Sequence, residues 1–297
     1  LEARLERLLT DTRSLLDKSR ALSIRITEAG DGADPSGRRS EFESLAIQAR
    51  TLQSDASTAL QRSNEEQGGI ESKLETERTE EEKVRLAQLK ALNLHLNDGR
   101  DHIANARRTL RRLDIESSLQ SLIDAVQGLV RAIEQLADPL AVLKTVAGEE
   151  QQLLKQSAAL AMIRAQATQL GASEQVPKLP TWFDGAFLAK TQSGLHERCN
   201  EVLQRFQIVA ESQSQTPTDS DSPQTNEMSQ LIIDAIPPLM DAVDAMKSAE
   251  ADLGNEQLQL GLQHEQAALS NLAPWKFERF SFALVNFAPR KSAPSNA

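Results

Sequence analysis

Residues 101–129, DHIANARRTLRRLDIESSLQSLIDAVQGL, and residues 244–272, DAMKSAEADLGNEQLQLGLQHEQAALSNL, align without a gap at a spacing of 143 residues. Asp101, Ala106, Leu110, Leu119, Gln120, Ala125 and Leu129 recur as Asp244, Ala249, Leu253, Leu262, Gln263, Ala268 and Leu272. The same spacing aligns residues 45–62 with 188–205, where Leu45, Ala46, Leu52, Leu60, Gln61 and Arg62 recur as Leu188, Ala189, Leu195, Leu203, Gln204 and Arg205. These 13 identities in 47 positions stand against about three or four expected from composition alone. One spacing held across two separated windows predicts a tandem duplication of a helical unit.

Working outward, the pattern around these windows is helical. Leu1, Leu5, Leu8, Thr12, Leu15, Ser19, Leu22 and Ile26 alternate at spacings of four and three, a heptad seam widened by Leu9 and Leu16. Gly30, Gly32, Pro35 and Gly37 break it. Ser40 and Glu43 read as a capping box for a second helix carrying Phe42, Leu45, Leu52, Ala56 and Leu60, which Gly68 and Gly69 end. Val84, Leu86, Leu89, Leu92, Leu96, Ile103, Ala106 and Leu110 mark a third helix, and Asp114 is the expected N-cap of a fourth. The first unit therefore spans residues 1–138, closing at Asp138-Pro139.

The second unit, 139–274, repeats the order. Its first helix stops at Gly171, and Thr181 with Asp184 is expected to cap the next. The polar stretch 212–225 reads as a mobile linker, Pro237-Pro238 as an interruption or kink, and Gly254-Asn255 as the tight turn into the last helix. The prediction is an all-α chain: two tandem antiparallel four-helix bundles followed by an aromatic tail, 275–297, disordered after about residue 289.

Composition excludes several classes. Tyr is absent and aromatics are 3% of the chain, which favours helices packed through aliphatic side chains over sheets. A net charge of −10 argues against a general nucleic-acid binder, which needs a basic face to neutralise phosphates. A single cysteine, Cys199, rules out an internal disulfide. No apolar run is long enough to span a membrane. Since the chain opens at Leu1 without Met and without a signal peptide, we expect a part of something longer, with any membrane anchor upstream of Leu1.

The pattern Leu239-x-x-Ala242-x-x-Ala245-Met246-x-x-Ala249-x-x-x-Leu253, followed by Gln263-x-x-Gln266-Ala267-x-Leu269-x-x-Leu272, resembles that of bacterial membrane-anchored helical proteins of uncharacterised function encoded near MoxR-type ATPases and von Willebrand A-domain proteins. Phe42-x-x-Leu45-Ala46-x-x-x-x-x-Leu52 is similar to the helices that precede this pattern in the group, with Gln48 nearest to the group's glutamine between the Ala and the Leu. The resemblance touches about a quarter of the chain. It implies an extracytoplasmic, periplasmic-side helical module with scaffold or assembly duties and no known catalytic residues.

Few residues nominate themselves for chemistry. His196-x-x-Cys199 places an imidazole and a thiol on one helical face, but no third ligand lies nearby except Glu197, and unit one has Gln53 and Ala56 in their places; packing is the expected role. His95 and His102, seven apart, could share a face of the third helix, and His264 is expected to be solvated beside Glu265. Arg107, Arg108, Arg111 and Arg112 are the densest basic patch, and Glu75, Glu77, Glu80, Glu81 and Glu82 the densest acidic run; each reads as a docking face or as a plain solvated one. Pro177 and Pro180 form a Pro-x-x-Pro connector.

Trp275, Phe277, Phe280, Phe282 and Phe287 are half of the chain's ten aromatic residues, and fold back as a plug or serve as a docking peptide. No phosphate loop, paired catalytic carboxylates, zinc-spaced Cys/His set or Ser-His-Asp arrangement is present. The expected function is therefore noncatalytic and without cofactor: a scaffold or interaction domain, binding protein partners, within a larger envelope-associated assembly. The alternative is a helical-bundle ligand-binding sensor domain, with Thr12 and Ser19 lining its site.

Overall fold

The computed structural model describes residues 1–28, 35–170, 183–214 and 223–272. Within them the chain is all-α, with eight helices and no strand. Two compact units divide between Ala137 and Asp138. The aromatic tail, Thr181, Pro177 and Pro180 lie outside the described residues.

Unit one is a closed ring of four helices: α1 (Glu2–Glu28) packs on α2 (Arg39–Glu71) and α4 (Ile115–Glu134), and α3 (Glu80–Arg111) packs on the same two. The heptad seam of α1 faces inward, burying Leu5, Leu8, Thr12, Leu15, Ser19 and Leu22. The same core buries Phe42, Leu52 and Ala56 of α2, Leu89, Leu96 and Leu110 of α3, and Leu122 and Leu129 of α4. Each of the larger side chains contributes about 1.5 to 3 kcal/mol by leaving water. Where α3 and α4 approach most closely, a Cβ on Gly128 would stand 3.0 Å from the Gly99 backbone nitrogen and 3.1 Å from the His95 carbonyl oxygen.

The helix starts correct two sequence expectations. Ser40 and Glu43 form no capping box, because a 3-10 turn, Pro35–Arg38, runs straight into α2 and leaves Ser40 already inside the helix. Glu43 instead accepts from Arg39 Nε at 3.2 Å. The capping box of this unit is at α3, where the Thr79 hydroxyl accepts from Glu82 N at 3.2 Å and Glu82 accepts from Thr79 N at 3.1 Å. Gly68 and Gly69 remain helical and α2 continues to Glu71. Asp114 caps α4 as expected, accepting from Ser117 N at 3.0 Å.

In unit two, α5 (Pro139–Leu170) packs on α6 (Gly185–Ser214) and α8 (Leu258–Asn271), and α7 (Pro223–Gly254) packs on the same pair, the same order of neighbours as in unit one. Asp184 caps α6 by accepting from Phe187 N at 2.9 Å. The stretch 212–225 is shorter as a connection than the sequence suggested, since 212–214 belong to α6 and 223–225 to α7; residues 215–222 lie outside the described residues. The Pro237-Pro238 pair sits inside α7 without interrupting it. The donors it removes leave the carbonyls of Ile233 and Asp234, both exposed, for water to satisfy.

Corresponding boundaries fall 143 residues apart: α3 ends at Arg111 and α7 at Gly254, and α4 starts at Ile115 and α8 at Leu258. Among the described residues two non-glycine residues adopt positive φ, Leu113 and Glu256, both at 60°, again 143 apart. The left-handed residue of the second turn is thus Glu256 and not Gly254 or Asn255. In each turn the residue after it donates back to the penultimate helical turn, Asp114 N to Thr109 O at 3.1 Å and Gln257 N to Asp252 O at 2.8 Å. Ala106 and Ala249, Leu110 and Leu253, Ala125 and Ala268, and Leu129 and Leu272 are all fully buried, and Leu52 and Leu195 are both buried. Leu119 is buried, whereas Leu262 is half-buried. The inward face of α1 recurs on α5 at a spacing of 138, with Leu5, Leu8, Thr12, Leu15, Ser19 and Leu22 answered by Leu143, Val146, Glu150, Leu153, Ser157 and Leu160.

Candidate functional site

That last correspondence places polar groups at the centre of the second bundle. Glu150 and Ser157 are seven residues apart on α5, Gln192 and Cys199 seven apart on α6, and Glu265 faces them from α8; all five are buried with no exposed surface. Gln192 Nε2 donates to Glu150 Oε2 at 2.9 Å, and Ser157 Oγ donates to Glu265 Oε1 at 2.8 Å. The other acceptors, Glu150 Oε1, Gln192 Oε1 and Glu265 Oε2, have no protein partner.

Burial disfavours the charged form of each acid. It pushes the Glu150 carboxyl up to about 8, opposed by the Gln192 hydrogen bond and reinforced by the Glu265 charge. It likewise pushes Glu265 up to about 7, opposed by the Ser157 hydroxyl. Cys199 is raised to about 12 by burial and by Glu150, against the pull of Arg198. It is therefore a thiol at neutral pH and a poor nucleophile. Arg198 is buried and paired with Glu149. The arrangement can hold and release protons, but it is sealed from any substrate.

The residues nominated from sequence are placed differently. His196 turns to Glu250 of α7, Nδ1 to Oε2 at 3.8 Å, while Cys199 points into the core. His264 is not simply solvated: its Nδ1 lies 2.8 Å from Asp252 Oδ2. His102 reaches Asp124 of α4 at 3.9 Å, and His95 is buried. Among the described residues no three His, Cys, Asp or Glu side chains gather as a metal ion would need. Thr12 and Ser19 line no site, because both are fully buried and their hydroxyls donate to the carbonyls of Leu8 and Leu15 at 2.7 and 2.9 Å.

The four arginines do not make one face. Arg107 Nη1 donates to Gln53 of α2 at 2.9 Å, while Arg108, Arg111 and Arg112 are exposed. Of the acidic run, Glu82 is used by the cap and by Lys73, and these hydrogen bonds hold its carboxyl below the usual range. A shallow groove of about 310 Å³ beside the α7–α8 turn is lined by Ala161, Arg164 and residues 256–260, with Arg164 and Glu256 paired across it at 3.3 Å.

Sequence reasoning missed Glu150, Gln192 and Glu265, although position marks them. Each follows a buried residue by four and precedes another by three: Val146 and Leu153, Leu188 and Leu195, Gly261 and Ala268. Compared with known proteins, the chain matches no family model, no curated protein and no solved structure.

Proposed function

We propose that this chain is a tandemly duplicated, noncatalytic helical module that works through its outer faces as a scaffold or interaction domain of a larger envelope-associated assembly. The duplication is supported by the 143-residue spacing, which holds for sequence identities, helix ends and the two left-handed turn residues. The envelope setting rests on the resemblance to membrane-anchored helical proteins, and among the described residues no helix is long and apolar enough to cross a membrane.

The observation that carries the interaction reading is the outward display of large apolar side chains. Ile47 on α2, Val84 and Leu94 on α3 and Ile208 on α6 are each 59 to 66% exposed, on helices whose inner faces are already filled. A photo-crosslinking residue placed singly at Ile47, Leu94 or Arg108 in the native host should give a discrete protein adduct at one or more of these positions. Placement at buried Leu96 serves as control. Adducts no more frequent than at Leu96, together with thermal stabilisation of the purified chain by a small-molecule library, would put a ligand-binding sensor in place of the scaffold.

A further inference from the structure

Four side chains from three helices meet in the core of the second bundle, and the orphaned atoms of Glu150 and Gln192 among them are complementary. Glu150 Oε2 takes the Gln192 amide hydrogen, leaving Glu150 Oε1 and the Gln192 carbonyl oxygen both as acceptors without a donor. A proton on Glu150 Oε1 turns that oxygen into the donor the Gln192 oxygen lacks, as in an acid–amide pair. Glu265 is likewise half-bonded, with Oε1 taking the Ser157 hydroxyl and Oε2 unpartnered. Among the described residues no cation acts on either acid: Arg198 on α6, beside Cys199, is held by Glu149. The acids of α7, Glu250 and Asp252, are engaged by His196 and His264 in half-buried pairs. Cys199 is the remaining titratable neighbour, and it stays a thiol.

We propose that this layer is an acid-closed latch: the second bundle packs tightly while Glu150 and Glu265 carry protons, and it opens as they ionise. The matching places in unit one are Thr12, Ala49, Ser19 and Leu122, so the device belongs to unit two alone. Both acids titrate higher in the closed bundle than in an opened chain, so the closed form binds more protons. Closure is then fully supported below the ordinary carboxylate range near 4.5, and the support is lost as pH rises through about 7 and 8. The outcome is a bundle that is stable in mildly acidic surroundings and loosens in alkaline ones.

Cys199 is the chain's single cysteine and lies beside the layer, so its labelling reports opening of this unit. The experiment is the rate at which a thiol reagent modifies the intact chain from pH 6 to 8, divided at each pH by the rate for the urea-unfolded chain to remove the thiol's own ionisation. The normalised rate should rise on the order of a hundredfold over this range, from up to about tenfold per pH unit for each group. It should be nearly flat in Glu150→Gln/Glu265→Gln. If that variant does not fold, Glu265→Leu, which copies Leu122 of unit one, should keep a shallower slope. A wild-type rate that changes less than about twofold, or a variant that rises as steeply as wild type, overturns the latch.

Discussion

The two bundles share a helix order, a turn and most of an apolar core, yet they differ at the centre. Unit one closes its middle with Ala49 and Leu122 and with the hydroxyls of Thr12 and Ser19, which bond to their own helix. Unit two places Gln192, Glu265, Glu150 and Ser157 there, bonded between helices. A hydroxyl that bonds to the preceding turn asks nothing of its neighbours. An acid bonded across helices fixes which helices must meet, and it couples their meeting to proton binding. One helix order therefore supports two kinds of centre, one closed by apolar groups and self-bonded hydroxyls and one by acids bonded across helices.

The largest effect should come from moving the acid to the wrong unit. Leu122→Glu would bury a carboxyl at a place whose counterparts of the unit-two partners are Ala49 and the hydroxyls of Thr12 and Ser19, already bonded to their own helix, and should cost unit one about 3 to 5 kcal/mol, as for an uncompensated buried charge. The reverse change, Glu265→Leu, should be neutral or stabilising to unit two above pH 7, because Ser157 can bond back to Leu153 as Ser19 does to Leu15. Segment-resolved hydrogen exchange separates the two units. Equal losses from the two substitutions would erase the distinction drawn between the interiors.

A smaller effect is expected where α3 crosses α4. At the positions of Gly99 and Gly128, unit two carries Ala242 and Asn271, so the glycine contact at this crossing is absent from the second bundle, whose close glycine approach is Gly185 to the Leu253 carbonyl. Gly128→Ala would set a Cβ 3.0 Å from the Gly99 nitrogen, against backbone that cannot swing aside. The strain should lower the stability of unit one by about 1 to 3 kcal/mol, with the loss read in denaturant unfolding. No loss would mean that the helices part without cost and that the crossing is not tightly held.

Much of this architecture was legible because it rests on spacing. The heptad seam of Leu5, Leu8, Leu15 and Leu22, the Asp114 cap and the all-α class follow from periodicity and from side chains that act locally. The α3 capping box was hidden because Glu82 lies in a run of glutamates that reads as solvated charge. The left-handed residues were hidden because the first turn has no glycine to mark Leu113, and in the second Gly254 stands two residues before the left-handed Glu256. Glu150, Gln192 and Glu265 were overlooked because their type suggests surface while their position places them inside. Only packing against the two neighbouring helices resolves that conflict. The aromatic tail, Trp275 to Phe287 among its residues, falls outside the described residues.

The smallest predicted difference concerns the helix that follows the shared turn. Leu113 and Glu256 turn the chain in the same way, but the next residue differs: Asp114 accepts from Ser117 N, whereas Gln257 makes no side-chain cap at the start of α8. The first amides of α8 therefore lack the acceptor that those of α4 possess. Asp114→Ala should cost unit one about 1 kcal/mol, and Gln257→Asp should stabilise unit two by about 0.5 to 1 kcal/mol, since a short carboxylate both caps the amides and suits the positive end of the helix. Exchange of the first-turn amides of α4 and α8 measures both changes. If Gln257→Asp leaves α8 unprotected, the two turns differ in more than the cap residue, and their equivalence extends only to the backbone.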